Sequence, residues 1–128
     1  MRALLDTHAF LWWIGDDPRL SKTAREVLLD EDNEVYFSTA SAWEIAIKAR
    51  LGRIELPRNV ESFISKQLDV NDFTVLPIQL SHALRVAKLP AHHEDPFDRI
   101  LIAQAQIEKL TLVSADKAVA RYSVEVAW

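Results

Sequence analysis

"RALLDTHAFLWWIGDDP", residues 2–18, runs from a short apolar stretch into an acid and then into a segment of helical character. Leu4 and Leu5 suit a short buried strand, and Asp6 stands where that strand ends. HAFLWWI continues as a helix, stopped by Gly15 and Pro18. A strand, an acid at its end and a helix directly after it form the repeating unit of an α/β sheet.

The same order recurs downstream. Ser21 resembles an N-cap followed by helix formers through Asp30, and VYF at 35–37 is β-rich and short enough for a buried strand. From Thr39 or Ser41, SAWEIAIKARLG sets Ala42, Ile45, Ala46, Ala49 and Leu51 at helical intervals and closes at Gly52. NVESFISKQL predicts an amphipathic helix, FTVLPI a strand ended by Pro77, and SHALRVAKL a helix before Pro90. A helix from Asp95, strand TLVSA, helix DKAVARY and short strand VEVA complete the chain. Strands alternating with helices predict an α/β domain with a mainly parallel sheet covered on both faces, where ligands gather beyond the carboxyl ends of the strands.

The 128 residues, 49% of them hydrophobic, suit a single domain over 1–128 with one sizeable core. The absence of cysteine excludes disulfides, thiolate metal sites and a cysteine nucleophile, and fits a reducing, cytoplasmic setting. Asp6 and His8 interrupt the apolar start, so neither a signal peptide nor a membrane span is expected. A net charge of −4 argues against coating nucleic acid through bulk positive charge, leaving room only for a focused basic stripe. With only 2 glycines there is no phosphate-cradling glycine loop.

Four acids take comparable places: Asp6 closes the first strand, Glu44 lies in the early turns of a helix after the second, Asp98 opens the helix at 96, and Asp116 follows TLVSA. A parallel sheet would gather them at one edge, where they repel one another unless a hard cation intervenes. Mg2+ or Mn2+ takes oxygen ligands and leaves positions open for a substrate phosphate. Asp95-Pro96 has the chemistry of a helix start, an N-cap acceptor with proline at N1, so Asp95 is assigned a structural role. Asp98 at N3 would favour the helix dipole in any case; the recurrence of acids at other element ends points to a metal ligand.

LLDTHAFLW, SAWEIAIK, HHEDPFDRILIAQA and LVSAD, in this order from Leu4 to Asp116, together resemble the PIN-domain ribonucleases, most closely the VapC-type toxins of bacterial toxin–antitoxin pairs. The family's acids map onto Asp6, Glu44, Asp98 and Asp116, and its small hydroxyl residue onto Ser114. The resemblance implies a PIN-like three-layer α/β/α sandwich, endoribonuclease activity with Mg2+ or Mn2+ on an RNA such as tRNA or rRNA, and neutralisation by a small antitoxin. Asp6, Asp98 and Asp116 would then hold metal, with Glu44 a further ligand or the residue that orients the attacking water. No His-His-Lys set for metal-free RNA cleavage is evident.

Other residues near these motifs have plainer readings. Thr7 suits a cap for the first helix, or contact with a metal-held water. His8, His92 and His93 read as solvated loop residues or caps, with a phosphate contact open for His8 or His93; the lack of cysteine disfavours zinc. Adjacent Trp12 and Trp13 cannot both face inward on one helix, which suggests a neighbouring element, a homodimer or an antitoxin groove. Trp43 suits packing or base stacking. Lys48, Arg50, Arg53 and Arg58 form the densest basic stretch and are candidates for RNA phosphate contact, as is Arg99, which also stands one turn from Asp95. A phosphatase or receiver would also place acids at strand ends, but His8 stands where such a phosphatase carries a second acid, and a receiver does not require Glu44. A non-catalytic acidic binding module is the other alternative.

Overall fold

The computed structural model describes residues 1–57 and 59–128. Arg58, a candidate in the basic stretch, lies outside the described residues. Strand β1 (Arg2–Leu5) leads into helix α1 (Thr7–Ile14), then α2 (Lys22–Leu29), β2 (Glu34–Ser38), α3 (Thr39–Arg50) and α4 (Val60–Asn71). Strand β3 (Thr74–Leu76), helices α5 (Leu80–Val86) and α6 (Pro96–Glu108), strand β4 (Thr111–Val113), a single 3-10 turn at Val119–Arg121 and β5 (Val126–Ala127) follow. The strands form one five-stranded sheet in the order β3-β2-β1-β4-β5, and every pairing is parallel.

Side-chain alternation along the strands explains the three layers. Ala3 and Leu5 of β1, Val35 and Phe37 of β2 and Val113 of β4 face one side, where they pack on Ala9, Phe10, Ala24, Val27, Ile45 and Ile64. Leu4 and Leu112 face the other, against Leu101, Ile102, Ala105, Val119 and Tyr122. Covered on both faces, these strands carry no polar stripe, as parallel sheets require.

Most predicted elements are present, with informative shifts at their ends. Helix α3 begins at Thr39, one of the two starts expected, and Ser38 caps it by accepting from the Ala40 N–H at 3.0 Å. The helix expected over DKAVARY is not formed, and only the short turn stands there. Val119 and Tyr122, three residues apart, are buried while Lys117, Ala120 and Arg121 are exposed, so one tight turn seats both apolar anchors before the chain joins β4 as β5. Trp12 and Trp13 both meet elements of this chain: Trp12 packs on Trp128 and under the Arg19 guanidinium, and the Trp13 indole N–H donates to Asn71 at 2.9 Å. The exposed tryptophan is Trp43, edge-on to Phe97.

One buried polar network was invisible in the sequence. His82, fully buried, accepts the Gln79 N–H at Nδ1 and so presents Nε2 to Glu108 at 3.1 Å, tying α5 to α6. Gln104 accepts from the Ser38 hydroxyl at 2.6 Å, tying α6 to the end of β2.

Gly52 closes α3 at φ 72°, with Arg53 N–H reaching back to the Lys48 carbonyl at 2.9 Å, whereas α6 ends on Lys109 at φ 56°. Both conformations favour glycine. In urea unfolding, Gly52→Ala should lower stability by about 1 kcal/mol through backbone strain alone, since a Cβ there meets nothing within 4 Å. Lys109→Gly should raise stability by up to about 1 kcal/mol; shifts of the same sign in the two variants would contradict this account.

Candidate metal site

The order 3-2-1-4-5 makes the chain run outward in opposite directions from β1, so the crevice between the ends of β1 and β4 is the switch point of the sheet. The Asp6 N–H donates to the Val113 carbonyl at 3.0 Å, the last rung between these strands. Asp6 is therefore fixed beside Ser114 and the turn that carries Asp116. A cleft of about 290 Å³ opens here, lined by Asp6, His8, Trp12, Arg19, Asp95, Asp98, Ala115 and Asp116.

Each carboxylate is placed by local backbone chemistry. Asp6, buried at 5% exposure, is itself the N-cap of α1 and accepts the Ala9 N–H at 2.7 Å. The capping role foreseen for Thr7 thus falls to Asp6; Thr7 is buried and donates its hydroxyl to Ser41 at 3.0 Å, pinning α1 to α3 one turn before Glu44. Asp95 caps α6 as expected, accepting from the Phe97 and Asp98 N–H groups at 2.9 and 3.1 Å. This leaves Asp98 in the first turn with its carboxyl aimed into the cleft. Ser114 accepts the Asp116 N–H at 3.1 Å, and Asp116 accepts from Ala118 at 2.8 Å, which orders the loop after β4.

The site is electrostatically loaded. Burial raises the Asp6 pKa above the usual carboxylate range, opposed by hydrogen bonding to Ser114 and Ala9 and by His8, and reinforced by the charge of Glu44. Asp98 is pushed up to about 8, first by burial, then by the charges of Asp95, Asp6 and Asp116, and by a hydrogen bond with Asp116. Ligand atoms of His93, Asp98 and Asp116 lie within 4.8 Å of one another. Such crowding is what a divalent cation relieves, and the predominance of carboxylate oxygens fits Mg2+ or Mn2+.

Glu44 does not line this cleft, although its charge acts on Asp6. It is buried, and its Oε2 lies 2.7 Å from the Lys48 ammonium one turn on. Lys48 is thereby engaged with Glu44 instead of standing free toward solvent. Arg50 and Arg53 are exposed, and Arg53 lines a larger groove of about 630 Å³ that shares His8, Trp12 and Arg19 with the acidic cleft. Arg99, considered for RNA contact, is turned inward. Its guanidinium donates to the Pro90 and Val86 carbonyls at 2.8 and 3.2 Å and to the Tyr122 hydroxyl at 3.0 Å, holding the loop before α6, and it does not pair with Asp95. Arg19, Ser41 and Tyr122 belong to the site or its support and carried no sequence signal, since isolated residues of these types are common.

The raised Asp98 pKa has a definite sign for stability. The folded value of about 8 lies above the unfolded carboxylate value of about 3.9, so the folded state holds this proton more tightly. Its contribution is complete below the unfolded value and is lost as pH rises through the folded one. Thermal unfolding of the metal-free protein should therefore show a Tm falling between about pH 5 and 8; Asp98→Asn should flatten that fall, and saturating Mg2+ should reverse it. A Tm that climbs with pH over this range in the metal-free wild type would contradict the account.

A family profile for the PIN domain matches residues 3–125. Ribonuclease VapC22 of Mycobacterium tuberculosis is 34% identical over 115 residues, spanning 89% of this chain and 86% of that protein. Among solved structures, VapBC2 from Rickettsia felis bound to a DNA fragment from its promoter matches with a TM-score of 0.73 at 15% identity, over 98% of this chain and 97% of that one. VapBC-5 from M. tuberculosis, of the VapBC family of toxin-antitoxin systems, matches with a TM-score of 0.61 at 18% identity, over 98% and 96%. The parallel sheet with its acids at the switch point, the family match over nearly the whole length and the VapC relative agree: this chain belongs to the PIN-domain family.

Proposed function

We propose that the protein is a metal-dependent endoribonuclease, the toxin of a toxin–antitoxin pair, which cleaves a structured cellular RNA such as tRNA or rRNA. The observation that carries this reading is the convergence of Asp6, Asp98 and Asp116 on one cleft, in a chain 34% identical to a VapC ribonuclease. These three carboxylates would hold Mg2+ or Mn2+, which when bound supplies an acidified water and neutralises charge on the phosphate under attack. Asp6 is held rigid by its cap bond to Ala9, and Asp98 by the Asp95-capped first turn of α6. Glu44, whose charge reaches Asp6, would be a further ligand or orient the attacking water, with Ser114 and Thr7 in support.

RNA is proposed to enter along the groove lined by His8, Trp12, Arg19 and Arg53, with the exposed Arg50 as a further phosphate contact. Leu11, Trp12, Ile14, Ile54, Leu56 and Phe63 make that groove partly apolar, which suits a small antitoxin that covers it and blocks RNA. A basic antitoxin side chain among the carboxylates would complement their charge. Homodimerisation is proposed through the apolar recess lined by Trp43, Ile78, Val86, Phe97 and Ile100. Among the described residues no helix is long and apolar enough to cross a membrane, and a cytoplasmic location is proposed.

Purified protein should cut RNA with Mg2+ or Mn2+ and stop when EDTA is added. Asp98→Asn should reduce cleavage at least 100-fold with the fold intact, whereas Asp95→Ala should cost roughly 0.5–2 kcal/mol of stability and leave residual activity. Expression should halt growth, and co-expression of the protein encoded beside it should restore growth. Metal-independent cleavage, or full activity in Asp98→Asn, would refute the assignment.

Charge reversal at Arg19 and Arg53 should weaken RNA binding and flatten its logarithmic salt dependence by roughly 0.7 per lost single-strand phosphate contact. Metal affinity, measured in parallel, should not change in the Arg53 single reversal, because Arg53 does not line the acidic cleft. An unaltered salt slope would place the RNA path elsewhere.

A further inference from the structure

Three groups with matching ligand atoms, His93, Asp98 and Asp116, suggest that His93 binds the metal directly. The hydrogen bonds around Tyr122 argue otherwise. The buried Tyr122 oxygen receives two groups that can only donate, the Arg99 guanidinium at 3.0 Å and the His93 backbone N–H at 3.3 Å. A phenol has two lone pairs and one hydrogen, so both acceptor positions are filled. The remaining contact, 2.8 Å to His93 Nδ1, must use the phenolic hydrogen, which makes Nδ1 the acceptor. In a neutral imidazole the proton then sits on Nε2, the atom 3.4 Å from Asp98 Oδ2.

We infer that His93 is a positioning residue, held by Tyr122 in its Nε2–H tautomer and donating to Asp98, and that it does not bind the metal itself. The inference rests on reading Asp98 as a metal-holding carboxylate. A protonated Nε2 has no lone pair for a cation, whereas the same N–H fixes one Asp98 oxygen and leaves the other turned to the cleft. Arg99 takes part through Tyr122, which gives this inward arginine a task at the site without contact to RNA. Outer-layer partners of this kind orient ligands, and their loss typically weakens metal binding by roughly 10–100-fold.

Long-range proton–nitrogen NMR of the imidazoles decides the tautomer. The chain has 4 histidines, and the His93 signals are those absent from His93→Gln. The Nε2–H pattern is expected in the metal-free wild type and should persist in saturating Mg2+; an Nδ1–H pattern in either state would overturn the inference. Calorimetric Mg2+ titration gives a second readout independent of cleavage. His93→Ala should weaken binding by roughly 10-fold or more, while His93→Gln, whose amide can donate from near the Nε2 position, should recover most of it. Unchanged affinity in His93→Ala would also overturn the inference. Failure of the wild type to bind Mg2+ would sink the metal reading alone, because the tautomer is read in the metal-free protein.

Discussion

The pairing of β1 with β4 is the constraint on which the site depends. These strands are far apart in sequence, and their parallel register places Leu5 opposite Val113. The next rung, Asp6 N–H to the Val113 carbonyl, sets the first acid beside Ser114 and so beside the loop of Asp116. Register in a sheet buried on both faces is strongly specified, because a slip of one residue would turn Leu4 and Leu5 to the wrong helical layers. Packing energy spread over the core therefore fixes where the carboxylates stand.

That placement works against their mutual repulsion, and the helices partly offset it. Both α1 and α6 begin at the cleft, so the positive ends of their dipoles face the acids. Asp6 uses that end twice, closing the backbone of α1 through Ala9 while standing in the cleft. On α6 the two tasks are divided: Asp95 takes the backbone N–H groups and Asp98 is left free to face Asp116. Burial first, and then the repulsion that the dipoles leave uncompensated, raises the pKa values of Asp6 and Asp98, a standing preference for a proton or a cation.

Around this centre, charge is sorted by what each basic side chain already binds. Lys48 is committed to Glu44 and Arg99 to backbone carbonyls and Tyr122, so neither stands as an open phosphate contact. Arg53 and Arg19 remain on the groove that leads into the acids, although Arg19 also pairs with Asp17 at 2.7 Å. In a chain of net charge −4, a few placed arginines rather than a general field would guide an anionic substrate.

The alternation of short apolar runs with helical periods, the caps at Ser21 and Asp95 and the stop at Gly52 are local properties, and the sequence alone determined them together with the α/β class. Asp6, Asp98 and Asp116 stand at element ends that could be read locally, and the fold brings these three to one cleft, whereas Glu44, midway along α3, does not line it. DKAVARY was misread because its propensity favours helix, while the three-residue spacing of Val119 and Tyr122 and the return to β5 require only a turn. The cap of α1 was misassigned because Asp6 and Thr7 are adjacent and both can cap; only the buried contact of Thr7 with Ser41 separates them. Tertiary structure alone decided that Thr7 meets Ser41, that Arg99 turns inward and that Tyr122 reaches His93. The physical reason is common to all three: each depends on hydrogen-bond partners that a side chain finds across the fold, and no local period encodes that choice.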